Sequence, residues 1–330
     1  MHILLQSALA AETDGSMRLF IVGTMDGHDI ELLAKRPWYQ RDRVKIHGWE
    51  ITAASHSKAV ERLREFAPNV TILHQGVSAE NGIMVVRGGG ETASLSSTTT
   101  CHQHGHAHDA KREGDGSKDA CTTLDANATT IEVVTWAHFV HAHSIGEVDF
   151  ALIDVEGHEP SVLLGMNLDH SPQRFPIFQY EIGSTWVSAS SAGGWSEADA
   201  ALYLESHGYR LYLLGSKPAV KWAPGAYGQG DWTKAGYKSM LLPIASAHFR
   251  EAAASKCMPF SKSAADGNGM QGNVLAVHTS ALSRRPWLEP FLNRHSISFE
   301  GGNSCTAYPC GGFGQLATNW SYPEDIRSKG

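Results

Sequence analysis

Two carboxylates follow the most hydrophobic strand predicted from this sequence. Residues 148–153 form that strand, Asp154 stands at its end, and Glu156 comes two residues later. Alternate side chains of an extended segment point to the same side, so one ligand can contact both carboxylates. Such a pair can bind a cation or accept a proton. The alternative is structural, with Asp154 capping the next turn and Glu156 solvated.

A third carboxylate, Glu181, lies near the end of the next predicted strand, residues 175–182. The carboxyl ends of neighbouring parallel strands meet at one sheet edge, which would bring Glu181 close to Asp154. Isolated buried carboxylates are costly, so three acids at one edge indicate a cationic ligand, a metal or a proton transfer. With His158 beside them, the candidate catalytic residues are Asp154, His158 and Glu181.

A turn with a glycine at each end follows the first predicted strand, residues 18–22. Glycine allows a tight turn and a close approach of the backbone to a ligand, so Gly23 and Gly27 suit a nucleotide-type site. The same residues also suit an ordinary connection to the helix predicted at 28–35, and the turn alone does not decide between the two.

Short apolar runs alternate with segments of helical spacing along the chain. This alternation predicts a doubly wound α/β fold with a mostly parallel sheet and ligands at the carboxyl ends of its strands. Further strands are predicted at 49–54, 70–73, 82–86, 131–134, 209–214 and 272–277, and further helices at 58–66, 160–164 and 196–207, with another helix start at Thr135.

Residues 88–130 contain no aromatic residue, valine or isoleucine. Such a segment cannot bury enough apolar surface to order itself, so we interpret it as a low-complexity, histidine-rich insertion loop. The loop interrupts one domain, residues 18–281, between a leader or N-terminal extension at 1–17 and a C-terminal extension at 282–330. Zinc and copper favour thiolate and imidazole, but their sites need fixed geometry, so we assign no metal to Cys101 and the histidines at 102–108.

The composition excludes several classes of protein. Apolar residues make up 42 % of the 330 residues and charged residues 18 %, which predicts a substantial core. A net charge of −7 without a long basic run argues against nucleic acid as the main partner. No apolar run reaches the roughly 18 residues of a membrane-spanning helix. The cellular compartment, cytoplasm or secretory lumen, and the oligomeric state stay open.

Several segments resemble the FkbM-type methyltransferases, and they occur in the order of that family over about 18–282. The most specific is IDVEGHEPSVLLGM, and the glycine turn and the closing strand add support. The matching segments are 22–27, 61–66, 69–73, 76–82, 153–166, 176–183, 204–215 and 269–279.

The resemblance implies a Rossmann-like class I methyltransferase fold with an antiparallel last strand. It also implies S-adenosylmethionine as the methyl donor and, as the acceptor, a hydroxyl of a carbohydrate or another polyhydroxylated small molecule or glycan. A divalent cation held by Asp154 and Glu181 could instead lower the pKa of that hydroxyl. The implied cofactor-binding residues are Gly23, Thr24, Asp26, Gly27, Ser78, Asp154 and Glu156.

Two positions depart from the family pattern. The family usually has an acid two residues before the first glycine of the turn, where this chain has Ile21. The family usually has a second acid, which holds the ribose hydroxyls of the cofactor, at the end of the second strand. In this chain we place Ala54 at that position. Glu50 would substitute only if the strand register shifts. The departures motivate one rival interpretation, a non-catalytic binding module that has lost its cofactor. A second rival is a metal-dependent sugar-nucleotide enzyme that uses Asp154 and Glu156 as its metal clamp.

Overall fold

The computed structural model describes residues 2–11, 16–36, 39, 42–88, 93–96, 129–182, 195–215, 240–246 and 272–296. The helices are α1 (His2–Ala11), α2 (His28–Ala34), α3 (Ala53–Leu63), α4 (Trp136–Ala142), α5 (Glu159–Gly165), α6 (Glu197–Ser206), α7 (Thr279–Arg284) and α8 (Leu288–His295). The strands are β1 (Met17–Val22), β2 (Val44–Trp49), β3 (Val70–Leu73), β4 (Gly76–Val77), β5 (Gly82–Arg87), β6 (Ser94–Ser96), β7 (Thr130–Val134), β8 (Phe150–Ile153), β9 (Ile177–Ile182), β10 (Tyr209–Gly215), β11 (Met240–Ile244) and β12 (Gly272–His278). The predicted histidine tract at 102–108 lies outside the described residues.

An eight-stranded sheet has the order β11-β10-β12-β9-β8-β1-β2-β3. The strands from β9 to β3 pair in parallel. Strand β12, the last in the chain order, lies antiparallel between β9 and β10, and β11 adds an antiparallel edge. This topology confirms the predicted Rossmann-like fold with a mostly parallel sheet and an antiparallel last strand.

The sheet is buried on both faces, as a doubly wound fold requires. Along β1, Leu19 and Ile21 belong to one core cluster and Phe20 and Val22 to the other, and none is more than 6 % exposed. Helices α4, α5 and α6 cover the Phe20 face, whereas α1, α2, α7 and α8 cover the Leu19 face. Because alternate side chains of a strand point to opposite faces of the sheet, one short apolar run contributes to the core on both faces.

The second strand differs from its prediction. It runs over Val44–Trp49 and not over 49–54, so Glu50 directly follows it and Ala54 lies in the first turn of α3. The reason is alternation: Val44 and Ile46 are buried while Lys45 is exposed. A strand of this kind carries polar residues at every second position, which hid it among the charges of this region.

The predicted insertion loop also contains structure. Within 88–130, residues 94–96 form β6, which pairs antiparallel with β5. The prediction of disorder fails at this point because backbone hydrogen bonds to a neighbouring strand order the segment and Leu95 packs over Gly76. Strands β4, β7, β5 and β6 together make a second, four-stranded sheet, to which the predicted strand at 82–86 belongs.

Both predicted extensions contribute to the core. Leu5 of α1 and Leu288 and Leu292 of α8 are at most 2 % exposed and belong to the cluster on the Leu19 face. The predicted boundary between 281 and 282 falls within α7. No helix among the described residues is long and apolar enough to cross a membrane.

The contribution of α8 can be tested by truncating Leu288. Leu288→Ala should lower the free energy of unfolding by about 2–5 kcal/mol, because it leaves a cavity in the core. Denaturant unfolding measures this loss. The matched control is Leu202→Ala on α6, which is 48 % exposed and should change stability by less than about 0.5 kcal/mol. Equal, small effects at the two positions would show that α8 is not part of the cooperative core.

Candidate active site

The turn after β1 packs directly against the end of β8. Gly23 has φ of 82°, and a Cβ atom at this position would overlap the carbonyl oxygen of Asp154. The Gly23 amide donates to the carbonyl of Trp49 at 3.1 Å, and the Asp154 amide donates to the carbonyl of Val22 at 3.1 Å. Glycine is therefore required here, and the ends of β1, β2 and β8 meet at one point.

Glu50 occupies the end of β2 and ties two turns together. Its side chain is 5 % exposed. One carboxylate oxygen accepts the Met25 amide at 2.8 Å, and the other accepts the amide and the hydroxyl of Thr52, each at 2.8 Å. A carboxylate has about four acceptor positions, so Glu50 keeps capacity for a further donor. The sequence alone predicts Ala54, and not Glu50, at the end of the second strand. The alternation of residues 44–49 was the signal that would have identified Glu50.

A cleft of about 560 Å³, partly open to solvent, lies over these strand ends. Apolar side chains form most of the wall, including Trp49, Val77 and, from β6, Leu95. The charged or titratable residues that line it are Glu50, Asp154, Glu156 and His158.

The three predicted carboxylates come together beside this cleft, whose wall includes Asp154 and Glu156 but not Glu181. One oxygen from each of Asp154, Glu156 and Glu181 lies within 4.8 Å of the others. Burial and the negative charge of Asp154 raise the pKa of Glu181 to about 9. Burial also raises the pKa of Asp154, but the hydrogen bond from Glu181 opposes that shift. At neutral pH the two carboxyls therefore share one proton, which Glu181 holds and donates to Asp154.

His158 and Ser78 form a second contact in the site. His158 Nε2 and Ser78 Oγ lie 3.1 Å apart. Burial lowers the pKa of His158 to about 4, so the imidazole is neutral at physiological pH. Helix α5 packs tightly on the turn that carries Ser78, since a Cβ atom on Gly165 would overlap the Ser78 carbonyl oxygen. The structure thus brings His158, predicted as a catalytic residue, into contact with Ser78, predicted as a cofactor-binding residue.

Three residues of the glycine turn lie away from the cleft lining. Asp26 forms an ion pair with Arg62 at 2.7 Å. The hydroxyl of Thr24 is buried and points to the Trp49 carbonyl at 3.4 Å. Gly27 has φ of 78°, precedes α2 and packs against α3. Of the turn residues predicted to bind the cofactor, the structure therefore places only Gly23 in the cleft wall.

Comparison with known proteins adds a sequence match and several distant structures. No curated protein matches the chain. An FkbM methyltransferase from Methylobacillus flagellatus KT is 14 % identical with a TM-score of 0.36, over 60 % of this chain and 40 % of that protein. A SAM-dependent methyltransferase from Thiobacillus denitrificans, in complex with S-adenosylhomocysteine, is 11 % identical with a TM-score of 0.35, over 84 % of this chain and 90 % of that one. These TM-scores are low, so the resemblance to the family depends on the sequence match.

The sequence profile of the family described as the methyltransferase FkbM domain matches residues 64–211. The matched segment includes the loop that carries Asp154 and Glu156 and the strand that carries Glu181. Over residues 64–211 it confirms the resemblance to FkbM-type methyltransferases predicted from the IDVEG segment and the order of its neighbours.

Proposed function

We propose that this protein transfers the methyl group of S-adenosylmethionine to a hydroxyl oxygen of a carbohydrate or another polyhydroxylated small molecule. The observation that carries the proposal is the position of Glu50. An acid stands at the end of β2, in the same cleft wall as Gly23 and Asp154, where the family resemblance requires an acceptor for the ribose hydroxyls. Glu50 therefore supplies the acid that is absent at Ala54, while Ile21 still departs from the family pattern and supports the alternative of a module without cofactor.

The cleft residues fit the proposed cofactor in chemistry. Glu50 would accept a hydrogen bond from one ribose hydroxyl through its remaining acceptor position. Gly23 presents backbone without a side chain, and apolar residues such as Leu95 offer a surface for the adenine ring. The negative charge shared by Asp154 and Glu181 favours a sulfonium cation nearby.

Asp154 is the best-placed base for the acceptor hydroxyl. When bound, S-adenosylmethionine supplies an electrophilic methyl group on a sulfonium, and the sulfur takes the bonding electron pair as the new carbon–oxygen bond forms. Asp154 faces the cleft and is the ionised member of its pair, so it can accept the hydroxyl proton. Glu181 already holds a proton and orients Asp154 through their hydrogen bond. His158 is a weak base with a pKa of about 4 and has Ser78 as a partner.

The spacing of the three carboxylates also suits a divalent cation, which would lower the pKa of the hydroxyl in place of a protein base. Treatment with EDTA distinguishes the two routes. The acid–base route predicts unchanged methyl transfer after chelation. Loss of transfer, restored by magnesium or manganese, would favour the cation.

Glu50→Gln tests the cofactor site. Removing the charge should weaken the affinity for S-adenosylmethionine by about 10- to 100-fold, as expected for hydrogen bonds to a charged group. Isothermal titration calorimetry measures the affinity, and the melting temperature reports whether the two turns stay in place. The control is Glu61→Gln on the exposed face of α3, which should bind like the wild type. A wild-type protein that does not bind at millimolar cofactor would refute the proposed function.

Asp154→Asn and Glu181→Gln test the division of labour within the acid pair. Asp154→Asn removes the base and should lower the turnover rate by about 10²–10⁴-fold. Glu181→Gln imitates the protonated carboxyl and should keep activity within about tenfold of the wild type. Formation of S-adenosylhomocysteine with a panel of sugars measures both rates. The reverse order of effects would assign the base to Glu181.

Glu181→Gln also gives a pH-dependent stability effect. The pKa of Glu181 rises from 4.5 to about 9 on folding, so ionising this group costs stability as pH rises through that window. The variant should therefore melt several degrees above the wild type at pH 8 to 9, and this gain should disappear toward pH 4. Thermal melts across the range measure the difference. A gain that is constant with pH would contradict the shared proton.

A further inference from the structure

A fully buried carboxylate lies directly behind the cleft loop and takes no part in the proposed reaction. Glu159 is the first residue of α5, and none of its surface is exposed. One carboxylate oxygen accepts the Val155 amide at 2.9 Å, and the other accepts the Gly157 amide at 2.9 Å. One rigid group thus fixes two peptides on either side of Glu156.

The loop between these two amides has an unusual backbone. Glu156 has φ of 54° and Gly157 has φ of 97°, both in the left-handed region. This region is unfavourable for a residue with a side chain, so the surroundings must hold Glu156 there. The side chain of Glu156, with those of Asp154 and Val155, lines the cleft. The conformation of this loop therefore decides where the cleft carboxylates point.

Packing alone does not explain an acid at position 159. A buried carboxyl is costly, and burial raises the pKa of Glu159 to about 7 even though the amides of Val155 and Gly157 oppose the shift. An apolar side chain of similar size would fill the same space without this cost. A carboxylate supplies two acceptor oxygens at a fixed spacing, whereas an apolar side chain supplies none.

We propose that Glu159 is a positioning residue, which bridges the Val155 and Gly157 amides and so holds loop 154–157 in the conformation that presents Asp154 and Glu156 to the cleft. The link to catalysis rests on the proposed function. The effect of Glu159 on the loop is independent of the proposed function, because the order of the loop can be measured without cofactor or acceptor.

Hydrogen exchange in the cofactor-free protein tests the bridge. In Glu159→Gln the side-chain amide nitrogen cannot accept, so one of the two backbone amides loses its partner. The amides of Val155 and Gly157 should then exchange at least tenfold faster than in the wild type. The matched control is Glu289→Gln, the same substitution in the first turn of α8 at an exposed position, which should leave their exchange unchanged. Unchanged exchange in Glu159→Gln would overturn the proposal.

Binding and stability measurements separate positioning from a general loss of structure. Glu159→Gln should weaken the affinity for S-adenosylhomocysteine at least tenfold, while the melting temperature changes by no more than a few degrees. A large drop in melting temperature with unchanged affinity would overturn the positioning role. If the wild type does not bind S-adenosylhomocysteine, the proposed function fails, but the exchange experiment still decides the bridge.

A second variant covers the case in which Glu159→Gln does not fold. Glu159→Asp keeps the carboxylate but is one methylene shorter, so it can reach at most one of the two amides. Exchange at Val155 or Gly157 should then increase at one position and stay slow at the other. Slow exchange at both positions would refute the bridge.

Discussion

The close contact between the turn after β1 and the end of β8 is the constraint on which the site depends. Gly23 leaves no room for a side chain against the Asp154 carbonyl, and its amide bonds to the end of β2. Three strand ends are thereby held at one point. Since Glu50 and Asp154 each stand at one of those ends, the same contact that closes the sheet edge also brings both acids into one cleft.

The acids of this region have two separate tasks. Glu50 and Glu159 direct their oxygens to backbone amides and shape the turns that carry the site. Asp154, in the cleft wall, shares a proton with Glu181 on the neighbouring strand. Glu50 and Glu159 are buried, and Glu50 alone of the two keeps an acceptor position for a ligand, whereas Asp154 is exposed. Concentrating so many carboxyls at one sheet edge costs stability, as is common where function sets the arrangement.

Much of the fold was predictable because local signals and tertiary structure agree. The buried runs of β1, β8 and β9 and the capping Ser196 before α6 appear in the structure at nearly the expected positions. The predicted position of strand β2 was wrong because the exposed Lys45 interrupts its apolar run. Strand β6 was not predicted because the polar composition of residues 88–130 gives no sign that three of them pair with β5. In the site, the meeting of Asp154 and Glu181 followed from strand order, but a buried Glu159 looks like any solvated acid in the sequence.

Leu95 connects the cleft to the segment of the chain with the most biased composition. It lies on β6, within the compositionally biased segment 88–130, yet it packs over Gly76 and lines the cleft. Changes of length in surface segments cost little free energy, so such segments drift readily in evolution. Here one end of the segment is part of the wall of the pocket. Divergence in this region would therefore alter the shape of the pocket while the sheet and its acids stay the same, which offers a route to new acceptors without a new fold.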